Sequence, residues 1–287
     1  MAQTFQEFEV IMVDDGSTDE THSIMQEWVG RDTRFHAIQF PENRGVVAAR
    51  NAAMDLAKGK YIAMLDGDDL WDSDALSCRV KEAMHFPEAA VIATDFSWFE
   101  DLVSPEPVGR VCLGAQARVV FAEVYRSGKP VYFEDPFNVV AALHFTWTGA
   151  TLVRRDKMTE VGNFDENFDG PEDTLLWLKL ANRAPLVFIP VVTAHYRQRA
   201  GSLVHLQREP KEFHYLKVLR YVVKSSEFAV RQRTLNKIMS KCYADCAINF
   251  RKQEKWRLAS EHAIRGVNVD PFDHKHWQNV FAALLKC

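Results

Sequence analysis

The sequence has few cysteines and no long apolar run. Its 5 cysteines are scattered among 287 residues and odd in number, which favours a reduced environment over a disulfide framework. No apolar stretch approaches the roughly 20 residues that a membrane-spanning helix needs. Met1 is not followed by a basic and then apolar leader. We therefore expect a cytoplasmic globular chain.

Basic residues are also scarce over most of the chain. The formal net charge is −4, and residues 1–207 hold 19 Lys and Arg against 31 Asp and Glu. Residues 208–257 reverse this balance, with 13 against 5. The basic segment could sit peripherally on the inner face of an anionic membrane or bind an anionic lipid phosphate, although we favour a solvated helix face over membrane contact. We expect no nucleic-acid partner.

Strand and helix patterns alternate through the first part of the chain. Five elements follow in the order strand, helix, strand, helix, strand, at 8–13, 20–29, 36–40, 46–57 and 61–65. This alternation predicts an α/β fold in which helices flank a mostly parallel sheet. From Glu209 onward the pattern is helical almost throughout. We accordingly predict an α/β domain at 1–205 and a helical C-terminal extension at 206–287.

The middle of the chain is less regular. Further strands are predicted at 90–96, 148–154 and 186–190, and a helix at 174–182. Residues 100–145 contain several prolines and glycines that interrupt any periodic pattern. We expect a mobile or partner-facing region there.

Three acids, Asp66, Asp68 and Asp69, surround Gly67 directly after the predicted strand at 61–65. Ligands of open α/β sheets bind at the carboxyl edge of the strands, and clustered carboxylates repel each other unless a cation lies among them. Such oxygen ligands suit Mg²⁺ or Mn²⁺, and Mg²⁺ is typically held by one or two carboxylates plus substrate phosphates. This pattern favours a metal that carries a nucleoside diphosphate. The alternative is a solvated acidic turn before a helix capped by Asp72, Ser73 or Asp74.

Four motifs together resemble family 2 glycosyltransferases of the GT-A fold, and their order and spacing match across roughly residues 8–200. They are Val13-Asp14-Asp15-Gly16-Ser17-Thr18-Asp19, then Asn43-Arg44-Gly45 with Ala49-Arg50-Asn51, then Tyr61 through Asp69, and finally Val161-Gly162-Asn163-Phe164-Asp165-Glu166 followed by Pro171-Glu172-Asp173. The resemblance implies a GT-A sheet and an enzyme that uses a nucleotide-sugar donor.

The resemblance also implies residues that bind the donor. Asp15 matches the aspartate that hydrogen-bonds the nucleotide base, and Arg50 matches a basic residue near the nucleotide. Asp66 and Asp68 match the metal motif, which would hold Mg²⁺ or Mn²⁺ with a UDP-sugar as the favoured donor. From the residues alone, Asp14 could simply brace its turn, and Arg50 could be an ordinary residue of a helix surface.

At the acceptor side, Asp173 resembles the catalytic base and Glu172 its partner. A carboxylate is needed there because a hydroxyl is a poor nucleophile until its proton is removed. Both acids also follow Gly170-Pro171 at a helix start, where acids are favoured in any case. Trp147 could stack on a sugar ring, whereas Trp177 is expected in the core.

The function implied by the resemblance is metal-dependent, inverting transfer of a sugar to a hydroxyl of a glycan or lipid-linked acceptor. The transfer would serve surface polysaccharide synthesis. The helical extension could form the contact surface of a homodimer. The family's first strand–helix unit has no counterpart before Phe8, so two strands are expected to have open edges. One alternative is therefore an inactive, truncated remnant that binds a partner. The other is a sugar-phosphate nucleotidyltransferase, although no glycine-rich phosphate loop is visible.

Overall fold

A computed structural model describes residues 2–100, 119–199 and 209–284. The chain forms two compact units. The first comprises Met1–Phe168 and Leu176–Gln198, and the second comprises Asp169–Leu175 and Arg199–Cys287. The boundary at 205/206 that we expected from the sequence lies outside the described residues and stays a prediction.

The first unit begins with a parallel two-stranded sheet. Strand β1 (Val10–Asp14) pairs in parallel with β2 (Phe35–Gln39), and helix α1 (Thr21–Arg31) connects the two strands. Helix α2 (Val46–Leu56) follows β2 and packs on β1. These elements lie within two residues of their predicted bounds, because each is an apolar run closed by a turn or a cap.

The larger sheet of the first unit is mixed. Its strands are β3 (Tyr61–Ile62), β4 (Leu70–Trp71), β5 (Val91–Phe99), β6 (Val131–Phe133), β7 (Thr151–Arg154) and β8 (Leu186–Arg197). The order is β3-β7-β5-β8-β4, with β6 also paired to β8. Within this sheet β5 and β8 run parallel, and every other described pairing is antiparallel.

The prediction of a mostly parallel sheet was therefore wrong, although the α/β class was right. The crossover rule correctly gave the parallel pair of β1 and β2, but it assumed that β3 would join them. Instead β3 pairs with β7, which lies far along the chain and runs the other way. Within the described residues β1 and β3 each have one pairing partner.

Two strands differ in length from their predictions. β3 ends at Ile62 because its antiparallel partner β7 matches it over two residues, whereas the apolar run continues to Leu65. β8 continues past Pro190 to Arg197. Its register against β5 shifts between Thr94 and Asp95, where Val192 follows Ile189, so the proline lies in a bulge that needs no ladder hydrogen bond from it.

The stretch at 100–145 was predicted to be mobile or partner-facing, and its described part is instead packed. Residues 101–118 lie outside the described residues. Helix α3 (Ala75–His85) precedes β5, and helices α4 (Ala122–Ser127) and α5 (Phe137–Leu143) flank β6. The aromatic side chains of Phe121, Phe137 and Phe145 are at most 1% exposed. Phe121 and Phe145 both pack against Phe188 of β8, so prolines and glycines marked turns between core elements here.

Helices complete both units. Helix α6 (Arg155–Glu160) follows β7, and α7 (Glu172–Ala181) precedes β8. The second unit contains α8 (Lys211–Lys224), α9 (Gln232–Lys252), α10 (Trp256–Val269) and α11 (His274–Leu284), as the helical pattern predicted. None of the helices in the described ranges is both long and apolar enough to cross a bilayer.

Candidate functional site

The first acidic turn is built at the end of β1. Asp14 is 2% exposed, and its Oδ1 accepts a hydrogen bond from the Ser17 backbone N–H at 2.9 Å. The Gln39 amide donates to its Oδ2 at 3.4 Å. Hydrogen bonds from Ser17 lower the pKa of Asp14 below its usual value. Asp14 therefore braces the turn.

The neighbouring Asp15 connects this turn to the start of α2. Its two carboxylate oxygens accept hydrogen bonds from the backbone N–H groups of Arg44, at 2.7 Å, and Gly45, at 2.9 Å. Gly16 has a φ of +76°, and a Cβ there would lie 2.6 Å from the backbone carbon of Glu42, so this close approach requires glycine. Each Asp15 oxygen has a second lone pair, and contact with a nucleotide base stays a prediction.

The second acidic turn follows β3 and contains a buried carboxyl group. Asp69 is 6% exposed, and its Oδ1 accepts a hydrogen bond from the Arg197 backbone N–H at 2.9 Å. Its Oδ2 is buried and has no hydrogen-bond partner. Burial, together with the charges of Asp66 and Asp68, raises the pKa of Asp69 to about 7. The turn therefore holds a buried carboxyl group whose ionised form is disfavoured and which has one unpartnered oxygen.

Arg50 supplies positive charge to this turn. Its Nη2 donates to both carboxylate oxygens of Asp66 at 3.2 Å. The Arg50 side chain is 13% exposed, and its guanidinium lies 5.3 Å from the centre of the Phe164 ring. Arg50 is thus held against the acidic turn rather than on an open helix surface. Its predicted contact with a nucleotide is a separate matter and stays a prediction.

The residues of the second turn fit a divalent cation. Asp66, Asp68 and Asp69 offer hard oxygen ligands, and burial, with a smaller contribution from the charges of Asp66 and Asp68, raises the pKa of Asp69. Within the described ranges, no group of three or more His, Cys, Asp or Glu side chains is arranged to hold a metal alone. Two carboxylates completed by substrate phosphates are the usual arrangement for Mg²⁺, so Asp66 and Asp68 suit that role.

Asn51 joins two of the sequence motifs. Its side-chain amide donates to the Phe164 carbonyl and to Glu166 Oε1, both at 3.0 Å. Its Oδ1 accepts from the Phe164 backbone N–H at 3.3 Å. The motif on α2 and the later Phe164 motif are therefore neighbours in the fold, although more than 100 residues separate them in the sequence.

A hydrogen-bonded chain beside the second turn was not predicted from the sequence. His195 on β8 lies between Ser97 on β5, with 2.6 Å from Nδ1 to Oγ, and Asp72, with 3.0 Å from Nε2 to Oδ1. A carboxylate can only accept, so the neutral imidazole donates from Nε2 and accepts the Ser97 hydroxyl at Nδ1. The sequence does not show that these residues meet, because strand pairing brings them together.

The structure confirms the expectation for one of two tryptophans and does not test the other. Trp177 is 3% exposed and belongs to the core, as predicted. Trp147 is half-buried, and its ring packs 4.6 Å from that of Phe96 and 5.5 Å from that of Tyr196. Its benzo ring lies within 2.6 Å of the position that a Cβ of Gly149 would take. Contact between Trp147 and a sugar stays a prediction.

The predicted catalytic pair lies at the start of α7, in the segment that belongs to the second unit. Asp173 Oδ1 accepts hydrogen bonds from the Thr174 backbone N–H at 2.5 Å and from the Thr174 hydroxyl at 3.2 Å. Glu172 and Asp173 both lie in the first helical turn, where negative charge is favoured. A capping role and a catalytic role are both compatible with this position.

Comparisons with known proteins agree with the motifs. The family model described as glycosyl transferase family 2 matches residues 1–162. A glucosyltransferase of Escherichia coli, WfaP, is 28% identical over 204 residues, which cover 71% of this chain and 70% of WfaP. The teichuronic acid biosynthesis glycosyltransferase TuaG of Bacillus subtilis is 42% identical over 82 residues, or 29% of this chain. That match spans about a third of TuaG, at 32%.

Solved structures show the same fold. Staphylococcus aureus TarS in complex with UDP-GlcNAc superposes with a TM-score of 0.67 at 16% identity, covering 98% of this chain and 82% of that one. The mannosyltransferase PcManGT of Pyrobaculum calidifontis, in complex with GDP-Man and Mn²⁺, gives 0.58 at 18% identity, with coverage of 99% and 78%. With the family model matching more than half of its length, this chain has the GT-A fold and belongs to glycosyl transferase family 2.

Proposed function

We propose that this chain transfers a sugar from a nucleoside-diphosphate donor to a hydroxyl group, with inversion at the anomeric carbon. The observation that carries this proposal is the second acidic turn. It combines a buried carboxyl group that has one unpartnered oxygen with two neighbouring acids. Such a turn suits a cation and a diphosphate better than it suits solvent.

The donor is proposed to bind at the two acidic turns. Asp66 and Asp68 would hold Mg²⁺ or Mn²⁺, which when bound stabilises the negative charge that develops on the leaving diphosphate. Asp15 would accept a hydrogen bond from the nucleotide base. Arg50 orients Asp66 through its contact with both carboxylate oxygens. We favour a UDP-sugar, because the TarS structure contains UDP-GlcNAc and the name of WfaP gives UDP-Glc as its donor.

The acceptor reaction is proposed to use Asp173 as base, with Glu172 beside it at the acceptor. The Asp173 carboxylate removes the proton of the acceptor hydroxyl while that oxygen forms a bond to the anomeric carbon. The bond from that carbon to the diphosphate oxygen breaks in the same step, which inverts the configuration. A positioned base of this kind typically contributes a factor of about 10² to 10⁴ in rate.

The acceptor class is proposed from the relatives. WfaP is named for a sugar on diphosphoundecaprenol, and TuaG for teichuronic acid biosynthesis. A glycan or lipid-linked saccharide used in surface polysaccharide synthesis is therefore the acceptor that we propose. Peripheral membrane contact through residues 208–257 would suit a lipid-linked acceptor.

The experiment is a transfer assay with radiolabelled UDP-glucose and UDP-GlcNAc on a lipid-diphosphate-linked GlcNAc acceptor. Asp173→Asn is expected to keep donor binding and to lower transfer about 10²- to 10⁴-fold. Asp169→Asn is the matched control, because the Asp169 side chain is 98% exposed in the same segment. Equal loss in both variants, or transfer by Asp173→Asn at the parent rate, would contradict the assignment of the base.

A further inference from the structure

Helix α11 of the second unit buries two polar side chains beside the apolar Val280 and Ala283. Its buried positions include His276, 0% exposed, and Asn279, 5% exposed. His276 Nε2 lies 2.7 Å from the Ser240 hydroxyl of α9, and its ring fills the space beside Gly266 of α10. A helix of a soluble protein ordinarily places polar residues outward. Here His276 and Asn279 occupy buried positions, while aromatic residues of the same segment are exposed.

The opposite side of the same segment carries large aromatic side chains. Phe272 is 94% exposed, Phe281 is 62% exposed and Trp277 is 45% exposed. Trp277 and Phe281 are four residues apart and therefore neighbours on one side of α11. Phe272 lies in the turn directly before the helix. These three residues, which we name the aromatic edge, are more than the single exposed apolar residues that any surface shows.

Basic residues are exposed on the same unit as the aromatic edge. Lys275 lies on the exposed side of α11, and Lys211 and Lys241 are exposed on α8 and α9. All three lysines lie close enough to Asp245 of α9 to interact with its carboxylate, so they form one group. The segment 208–257 as a whole holds 13 Lys and Arg against 5 Asp and Glu.

These charges favour an anionic bilayer over a second copy of the chain as the partner of the aromatic edge. A second copy of the chain would bring an equally basic unit against this one, and like charges oppose that contact. A bilayer with anionic headgroups complements the lysines. Its interface also suits Trp and Phe, which bury their rings at headgroup level, while lysine ammonium groups remain in water.

We propose that the aromatic edge of α11 docks the second unit on an anionic bilayer, with Phe272, Trp277 and Phe281 in the interface. The lysine group of Lys211, Lys241 and Lys275 contacts the headgroups. This proposal goes beyond the sugar-transfer function and does not depend on it. It also differs from contact through the basic segment alone, because it assigns the apolar part of the binding to the last described helix.

The experiment is co-sedimentation of the full chain with vesicles of phosphatidylcholine, with and without a third of phosphatidylglycerol. Binding is expected to the anionic vesicles, weakening at high salt. The double variant Phe272→Ser/Phe281→Ser is expected to bind about tenfold more weakly. Lys275→Glu should weaken binding to anionic vesicles alone. Met84→Ser, which removes a 75% exposed apolar side chain from the first unit, is expected to bind like the parent.

Circular dichroism of each variant checks that the helices remain folded. Absence of parent binding to anionic vesicles would overturn the proposal, as would equal binding by the double variant and the parent. A concentration-dependent dimer that the double variant abolishes, without vesicle binding by the parent, would assign the aromatic edge to a second copy instead. Because no donor or acceptor is present, failure here leaves the sugar-transfer assay unaffected.

Discussion

Arg50 Nη2 donates to both carboxylate oxygens of Asp66 at 3.2 Å, which joins α2 to the second acidic turn. This contact neutralises one carboxylate of a turn that otherwise repels anions. Without it, Asp66 would add uncompensated negative charge where we propose that a diphosphate binds. The pair therefore connects a helix motif with the second acidic turn in a way that sequence spacing does not reveal.

Arg50→Gln is expected to weaken binding of UDP in the presence of Mn²⁺ about tenfold, because one charge-assisted contact is worth roughly 1.5 kcal/mol or more. Titration calorimetry measures this effect. Arg31→Gln is the matched control, since the Arg31 pair with Glu27 is exposed on α1 and its loss should change nothing. Equal affinity of Arg50→Gln and the parent would exclude a role for Arg50 in the donor site.

Asn51→Ala is expected to destabilise the first unit by about 1–3 kcal/mol, because the Phe164 backbone N–H and C=O both lose their side-chain partner. Urea denaturation followed by tryptophan fluorescence measures the change. Asn43→Ala removes an exposed asparagine from the turn before α2 and should have a much smaller effect. If both variants unfold at the same urea concentration, the bridge does not stabilise the fold.

The neutral imidazole of His195 is expected to carry its proton on Nε2, since Asp72 can only accept a hydrogen bond. Nitrogen–proton correlation NMR of labelled histidine reports the tautomer, and His195→Gln identifies the signal among the 10 histidines. Asp72→Asn should shift the population away from this tautomer, whereas Asp74→Asn at the neighbouring exposed site should not. A proton found on Nδ1 of His195 in the parent would contradict this hydrogen-bonded chain.

The second unit is expected to lose stability as pH falls. Burial lowers the pKa of His262 and of His276 below the usual 6.5. Near pH 6.5 the unfolded chain therefore binds protons at these histidines, whereas the folded chain does not. The free energy of unfolding is highest above that pH and declines below it. Each histidine contributes up to about 1.4 kcal/mol per pH unit in that range.

Urea denaturation at a series of pH values tests this prediction. His276→Gln keeps a hydrogen-bonding group near Ser240 but cannot titrate, so it should flatten the decline of stability with pH. His85→Gln is the control, because the His85 side chain is 62% exposed on α3. A pH dependence that is the same in His276→Gln and in the parent would show that burial of His276 does not cause it.

The sequence predicted those elements whose signals are local. Helix α2 begins after Gly45 and β2 is a short apolar run, and both were found where expected. Sheet pairing was harder, because apolarity marks Tyr61–Leu65 as a strand but says nothing about which partner it meets. The partner β7 pairs over two residues, so β3 stops at Ile62. Pro190 predicts a strand end, whereas a bulge in the β5–β8 register accommodates it.

The candidate site shows the same division. The acidic residues could be found from the sequence because each follows an apolar run and a turn. Their protein partners could not, since the Arg197 backbone N–H reaches Asp69 only through the long strand β8. The sequence did not predict the aromatic edge either. Trp277 and Phe281 are four residues apart, as core residues of a helix often are, but in the fold they are exposed and His276 is buried.

The measurement that tests the central claim most directly is calorimetric titration of UDP into the parent chain and Asp68→Asn, with and without Mn²⁺. Asp55→Asn, which removes an exposed carboxylate from α2, is the control. We expect Mn²⁺-dependent binding in the parent and in Asp55→Asn, and its loss in Asp68→Asn. Binding that ignores Mn²⁺ or survives in Asp68→Asn, or no binding of UDP or GDP by the folded parent, would contradict a donor site at the second acidic turn.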